Sequence, residues 1–135
     1  MNPIVYQYCS HKKPSSEGRG LNPIFLVNQD GKLTLTNTEL VHFVRPSADL
    51  LFDSVAASYK DRAIAVVLTG TGSDGVMGVQ AIEKMGGTVI AQDEATADYF
   101  GMPGAAIKSG AVDFILPISE VASALITLVR QNKIP

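Results

Sequence analysis

The chain has 135 residues, the size of one ordinary domain and enough to bury about two thirds of its unfolded surface around one core. Hydrophobic residues make up 46% and charged residues 18%, which excludes a disordered chain, and the longest apolar run, Ala63 to Leu68, is far too short to span a membrane. A net charge of −2 with no basic stretch argues against nucleic-acid binding by phosphate neutralisation.

In chain order, IVYQY (4–8) is rich in β-formers and reads as a short strand. Residues 9–20, CSHKKPSSEGRG, carry no apolar period and read as an arm; residues 1–21 are therefore set apart from a domain over 22–135. The single cysteine, Cys9, excludes an internal disulfide framework and a cysteine-based zinc site, and it lies in that arm with no base to activate it. MNPIVYQYCSHKK lacks the charged-then-apolar order of a secretion signal, so a soluble cytoplasmic domain is expected. IFLVN (24–28) and KLTLT (32–36) flank Gln29-Asp30-Gly31, a hairpin signal, and Leu33 and Leu35 alternate with polar neighbours as on a strand with one buried face.

Pro46-Ser47 opens a helix, with Ser47 as N-cap and Asp49 in the first turn; Leu51, Val55 and Tyr59 form its apolar stripe. AIAVVL (63–68) is apolar throughout and bounded by breaks, which suits a strand buried on both faces of a parallel sheet. The glycine-rich LTGTGSDG follows, then a helix from about 76 to 85 with Val79, Ile82 and Met85 in period, closed by Gly86-Gly87. TVIAQ (88–92) is the next strand. A loop region over 93–110 holds a short helix after Pro103. VDFIL (112–116) reads as a third core strand, and Ile118, Val121, Ala122, Leu125, Leu128 and Val129 trace a final helix. Strands alternating with helices predict an α/β domain: a doubly wound, Rossmann-like, mostly parallel sheet carrying a β-hairpin.

Sites in such sheets lie in loops after strands, and the loop at 70–75, GTGSDG, admits three readings. As a dinucleotide fingerprint it has Gly70, Gly72 and Gly75 in place and Asp93 at the spacing of a ribose-binding acid, but Asp74 would set a carboxylate where the pyrophosphate needs amides. As a nucleophile elbow, Ser73 sits at a strand-to-helix turn, yet Thr71 stands where glycine is wanted and neither His11 nor His42 is placed to act as base. In the third reading Asp74 is the functional residue, a carboxylate well placed to orient a histidine as the acid of a triad. Against this stands the plain alternative that an Asp-Gly at a helix start is only a cap.

Four segments in order, VRPSADLLFDSVA (44–56), LTGTGSDGVMGVQAI (68–82), GGTVIAQDEATADYFGMPGAAI (86–107) and GAVDFILP (110–117), resemble the catalytic domain of CheB-type chemotaxis protein-glutamate methylesterases over about residues 22–130. The resemblance implies hydrolysis of glutamyl methyl esters on chemoreceptor cytoplasmic helices, with deamidation of receptor glutamines in many members. It also implies a Ser-His-Asp triad on a doubly wound sheet, no cofactor or metal, and a receiver domain that gates the full-length enzyme. Asp74 matches the acid of the family's T-G-x-G-x-D-G motif. Thr71 stands where the family usually has methionine, at a backbone N–H that contributes to the oxyanion hole. Gly101-Met102-Pro103 matches the family's loop near the site, and His42 matches no catalytic residue. The family's serine loop and histidine both precede the hairpin that begins here at residue 22, and residues 1–21 hold neither. The expectation is therefore a domain truncated at its N-terminus and inactive alone: a non-catalytic interaction module, or one part of a split enzyme completed by another chain. Lacking the family's first strand, the apolar strand at 63–68 must be covered by IVYQY or by a second copy in a homodimer.

Overall fold

The computed structural model describes residues 4–8, 24–27, 32–36 and 48–131. In chain order the elements are β1 (Ile4–Tyr8), β2 (Ile24–Val27), β3 (Leu33–Thr36), α1 (Ala48–Tyr59), a 3₁₀ turn (Lys60–Arg62), β4 (Ala63–Val67), α2 (Val76–Lys84), β5 (Thr88–Gln92), α3 (Gly101–Lys108), β6 (Phe114–Leu116) and α4 (Ile118–Gln131). Strands β1, β4, β5 and β6 lie side by side in that order, all parallel, while β2 and β3 form a separate antiparallel pair and β2 runs against α1.

All of β4 is buried, as its unbroken apolar sequence requires of a strand with both faces covered. Side chains alternate across a strand, and the two faces of β4 feed two cores. Ala63, Ala65 and Val67 join Val89 beneath Leu51, Phe52, Val55 and Tyr59 of α1, Val79 and Ile82 of α2, and Met102 and Ala106 of α3. Ile64 and Val66 join Ile90 against α4 through Val121, with Leu125, Leu128 and Val129 partly buried around them. Helices on both faces make the sheet doubly wound. The small residues of β4 face the three-helix layer, which lets those helices seat close to the sheet.

The edge of β4 is met within the chain. Ile4 pairs with Ala63 and the register runs in step to Tyr8 opposite Val67, so IVYQY covers the strand and β4 leaves no edge for a second copy.

Several elements differ from the sequence reading. The segment 112–116 is not a core strand: β6 begins only at Phe114, pairs with β5 alone, and leaves Phe114 and Ile115 44% and 52% exposed. Its apolar composition reflects one covered face and an outer edge. The helix near Pro103 begins before that proline, at Gly101, because a proline in the first turn lacks only an N–H that has no helical partner there. Met85 lies beyond the end of α2 and is exposed, since Gly86, at φ +87°, turns the chain away. In α4, Val121 is buried and Leu125, Leu128 and Val129 partly so, but Ile118 and Ala122 of the expected stripe are exposed. The Ser47 cap, the Gln29-Asp30-Gly31 turn, the 9–20 arm, Cys9, His11 and His42 lie outside the described residues, and Leu33 and Leu35 are described in backbone alone.

Helices α1 and α2 cross at Gly78. A Cβ there would stand 2.6 Å from Phe52 Cβ and 3.1 Å from Asp49 Cα, so only glycine permits the approach. Gly78→Ala is expected to destabilise the fold by about 1–3 kcal/mol through overpacking, measured by urea denaturation. Gln80→Ala, on the exposed side of the same helix, should stay within about 0.5 kcal/mol of wild type.

Candidate active site

Two loops leave the carboxyl end of the sheet side by side, Leu68–Gly75 after β4 and Asp93–Phe100 after β5. They are tied through both main chain and side chains. Gly70 N–H donates to the Tyr99 carbonyl and Met102 N–H to the Gly70 carbonyl, each at 2.9 Å. Tyr99 N–H donates to Thr69 Oγ1 at 2.8 Å, and that hydroxyl donates to the Tyr99 carbonyl at 3.1 Å. The seam is too narrow for a side chain at Gly101, whose Cβ would fall 2.9 Å from Gly72 N and 3.0 Å from Gly72 O.

Beneath the seam lies Gln92, the last residue of β5 and 3% exposed. Its Oε1 accepts from Thr69 N–H at 2.8 Å and its Nε2 donates to Thr96 Oγ1 at 3.2 Å. The Thr96 hydroxyl donates to Asp93 Oδ1 at 2.6 Å and accepts from Ile118 N–H, at the start of α4, at 3.1 Å. A buried amide that satisfies both loops in this way is a polar network with its members paired. Sequence reasoning missed Gln92, Thr69, Thr96 and Tyr99. The available signal was the glutamine itself, a polar residue closing an otherwise buried strand.

Asp74 sits in the last turn before α2, half-buried. It does not cap its own helix. Its Oδ2 accepts from Ala48 N–H at 2.9 Å and its Oδ1 from Asp49 N–H at 3.3 Å, so it caps α1 from across the helix crossing. The reverse bond also exists: Asp49 Oδ1 accepts from Gly78 N–H, in the first turn of α2, at 2.8 Å. Burial pushes the Asp74 carboxyl above its ordinary value; the α1 amides and the Gly75 N–H oppose this, the Asp49 charge adds to it, and the net direction is upward.

The other candidates fall around this point. Thr71, Gly72 and Ser73 are exposed at the tip of the first loop, Gly70 and Gly75 are buried at its two ends, and Gly72 adopts φ +84°. Among the described residues the Thr71 N–H donates no hydrogen bond, which leaves it available as a donor. Gly101, Met102 and Pro103 form the first turn of α3 rather than a loop; Met102 and Pro103 are buried packing residues, and Gly101 and the Met102 N–H both meet the Asp74 loop. Ser73 is brought to the site, whereas His11 and His42 lie outside the described residues.

The dinucleotide reading fits poorly. The α2 amide that would face a pyrophosphate is taken by the Asp49 carboxylate, and Asp93 Oδ1 is held by the Thr96 hydroxyl and N–H. Among the described residues no group of His, Cys, Asp or Glu is arranged to hold a metal ion, and no helix is long and apolar enough to cross a membrane.

A family model described as CheB methylesterase matches residues 16–125. A protein-glutamate methylesterase/protein-glutamine glutaminase of Moorella thermoacetica is 51% identical over 85 residues, covering 63% of this chain and 20% of that protein. One of the same name from Halobacterium salinarum is 42% identical over 101 residues, covering 75% of this chain and 29% of that protein. The chain thus spans less than a third of the length of these relatives. The crystal structure of the Thermotoga maritima CheB methylesterase catalytic domain superposes with a TM-score of 0.71 at 37% identity, over 82% of this chain and 59% of that one.

Two outcomes check the geometry. A carboxyl whose value is higher folded than unfolded holds its proton more tightly in the native state, so stability declines as pH rises from the ordinary carboxylate value through the raised one. The unfolding free energy of wild type minus that of Asp74→Asn should therefore fall across that window and level off above it, measured by urea denaturation at successive pH values. Gln92→Leu leaves the Thr69 N–H without its acceptor and should cost about 1–3 kcal/mol, with faster hydrogen exchange at Thr69.

Proposed function

Because the chain belongs to the CheB methylesterase family, we propose that it carries the acid-bearing part of a protein-glutamate methylesterase site, with Asp74 as the acid of a Ser-His-Asp triad. The observation that supports this most directly is the fixed, half-buried carboxylate at the carboxyl end of β4, held on both oxygens by α1 amides. The two α1 bonds fill only part of the acceptor capacity of a carboxylate, and the longer one, on Oδ1, leaves room there for a histidine Nδ1–H. The neighbouring Asp49 charge adds to the negative potential there. Such a potential favours the imidazolium that forms when histidine takes the proton of a nucleophilic hydroxyl.

The exposed Thr71 N–H supplies an oxyanion donor for the tetrahedral intermediate. Methyl ester and primary amide pass through the same kind of intermediate and differ in the group expelled, methanol or ammonia. One site therefore serves glutamyl methyl esters and glutamines, the two activities in the relatives' names. The substrates are cytoplasmic helices of chemoreceptors, and the site of action is the cytoplasm.

These 135 residues contain no Gly-Ser loop and no histidine in the family's context, so the acid works with a serine and a histidine supplied by another polypeptide segment. A non-catalytic interaction module on the same scaffold is the second reading, favoured by that same gap. The test is methanol release from methylated receptor. The pure chain should release none, and a fragment carrying the Gly-Ser loop and histidine should restore release on mixing. Asp74→Ala in the mixture should lower it on the order of 10⁴-fold. Turnover by the pure chain would overturn the need for a partner. Restored turnover indifferent to Asp74→Ala would overturn the role of the acid, and no restoration would favour the interaction module.

A further inference from the structure

Asp49 has the sequence signature of an ordinary first-turn acid, a residue that offsets the positive end of its own helix. Its carboxylate does something else. It reaches across to α2 and accepts from Gly78 N–H at 2.8 Å, while its own N–H donates to Asp74 Oδ1. Gly75, which precedes α2, offers no side-chain cap, so the first turn of α2 depends on this bond from outside. Each helix is thus capped by a carboxylate rooted at the start of the other, and Asp49 is the residue that takes part in both caps.

We infer that Asp49 is a positioning residue for Asp74, clasping α2 to α1 so that the Asp74 carboxylate is held at a fixed place and angle. The inference rests on the reading of Asp74 as the triad acid, and it adds a second carboxylate to that site. The mechanics follow from the order of attachment. Asp74 has two rotatable side-chain bonds and is steadied by the amides of Ala48 and Asp49. Those amides hold it in place only if the start of α1 is itself fixed relative to residues 74–78. The Asp49–Gly78 bond supplies that fixation, and the close seat of Gly78 on Phe52 leaves it little play. Asp49 also acts through space. Among the described residues it is the ionisable group whose charge bears on Asp74, and the first turn of α2 carries no acid that would add to it. The two carboxylates together deepen the negative potential offered to an imidazolium.

The experiment compares the full chain with Asp49→Asn, Asp49→Ala and, as a control on the exposed side of α1, Asp53→Asn. Three properties are followed by NMR: the Asp74 carboxyl titration, the Asp74 χ1 couplings, and hydrogen exchange at Gly78 and Ala48. Asp49→Asn keeps an acceptor for Gly78 N–H but loses the charge. It should shift the Asp74 midpoint downward while preserving slow exchange and a single Asp74 rotamer. Asp49→Ala loses both, and should also average the Asp74 rotamers and speed exchange at Gly78 and Ala48 by about tenfold, the scale of one lost cap. Asp53→Asn should change none of these. If Asp49→Ala leaves the Asp74 rotamer, midpoint and Ala48 exchange as in wild type, Asp49 is only a first-turn residue and the inference fails. Should Asp49→Ala not fold, wild type decides: unprotected exchange at the Gly78 and Ala48 amides or averaged Asp74 rotamers overturn the inference, whereas protected amides and a single rotamer support it. Failure of the triad reading would instead appear as restored ester hydrolysis indifferent to Asp74→Ala, with these NMR results intact.

Discussion

Two helices that begin beside one another turn unpaired N–H groups and a partial positive charge toward the same small volume. That constraint governs the carboxyl edge of this sheet. The chain meets it with two carboxylates in exchange, Asp74 on the first amides of α1 and Asp49 on the first turn of α2. The exchange explains why α1 and α2 can lie so near that Gly78 has no room for a methyl group. It also explains why a partly desolvated carboxylate persists at Asp74, where burial and a like charge both work against ionisation.

The second loop completes the arrangement by removing freedom rather than by adding a reactive group. Gln92 is buried beneath both loops and satisfied by both, and the Thr96 hydroxyl extends the same network to the first amide of α4. The strand ends, the Asp74 loop and two helix starts are therefore joined by hydrogen bonds, and breaking those of Gln92 would leave a buried amide unpaired. Loops held in this way keep their amides and the Asp74 carboxylate in place without reorganisation.

Much of the architecture was legible from the sequence because it follows from local pattern. The unbroken AIAVVL, the stripe of Leu51, Val55 and Tyr59, and the glycines at 86 and 87 each depend on a few neighbours, and each has its expected place. The errors came where tertiary position overrides composition. VDFIL is as apolar as a core strand, yet β6 stands at the edge, and nothing in five residues states how many neighbours a strand will have. Pro103 looked like a helix start and proved to lie inside the first turn. Asp74 stood out from its loop, but its cap on α1 spans 26 positions and that of Asp49 on Gly78 spans 29. Partnerships at such separations leave no periodicity to read, and Gln92 joins two loops for the same reason.

The alternation along β4 makes that strand intolerant in a particular way. Alanines at 63 and 65 meet the three-helix layer, while Ile64 and Val66 meet α4. A single inserted or deleted residue upstream of Ala65 would turn the strand over with respect to its sheet neighbours. Isoleucine would then be driven into spaces shaped for alanine beneath α1 and α2, and α4 would lose the bulk against which Val121 rests. The loop carrying Asp74 leaves directly from the end of this strand, so such a slip would rotate the carboxylate away from the α1 amides together with the core.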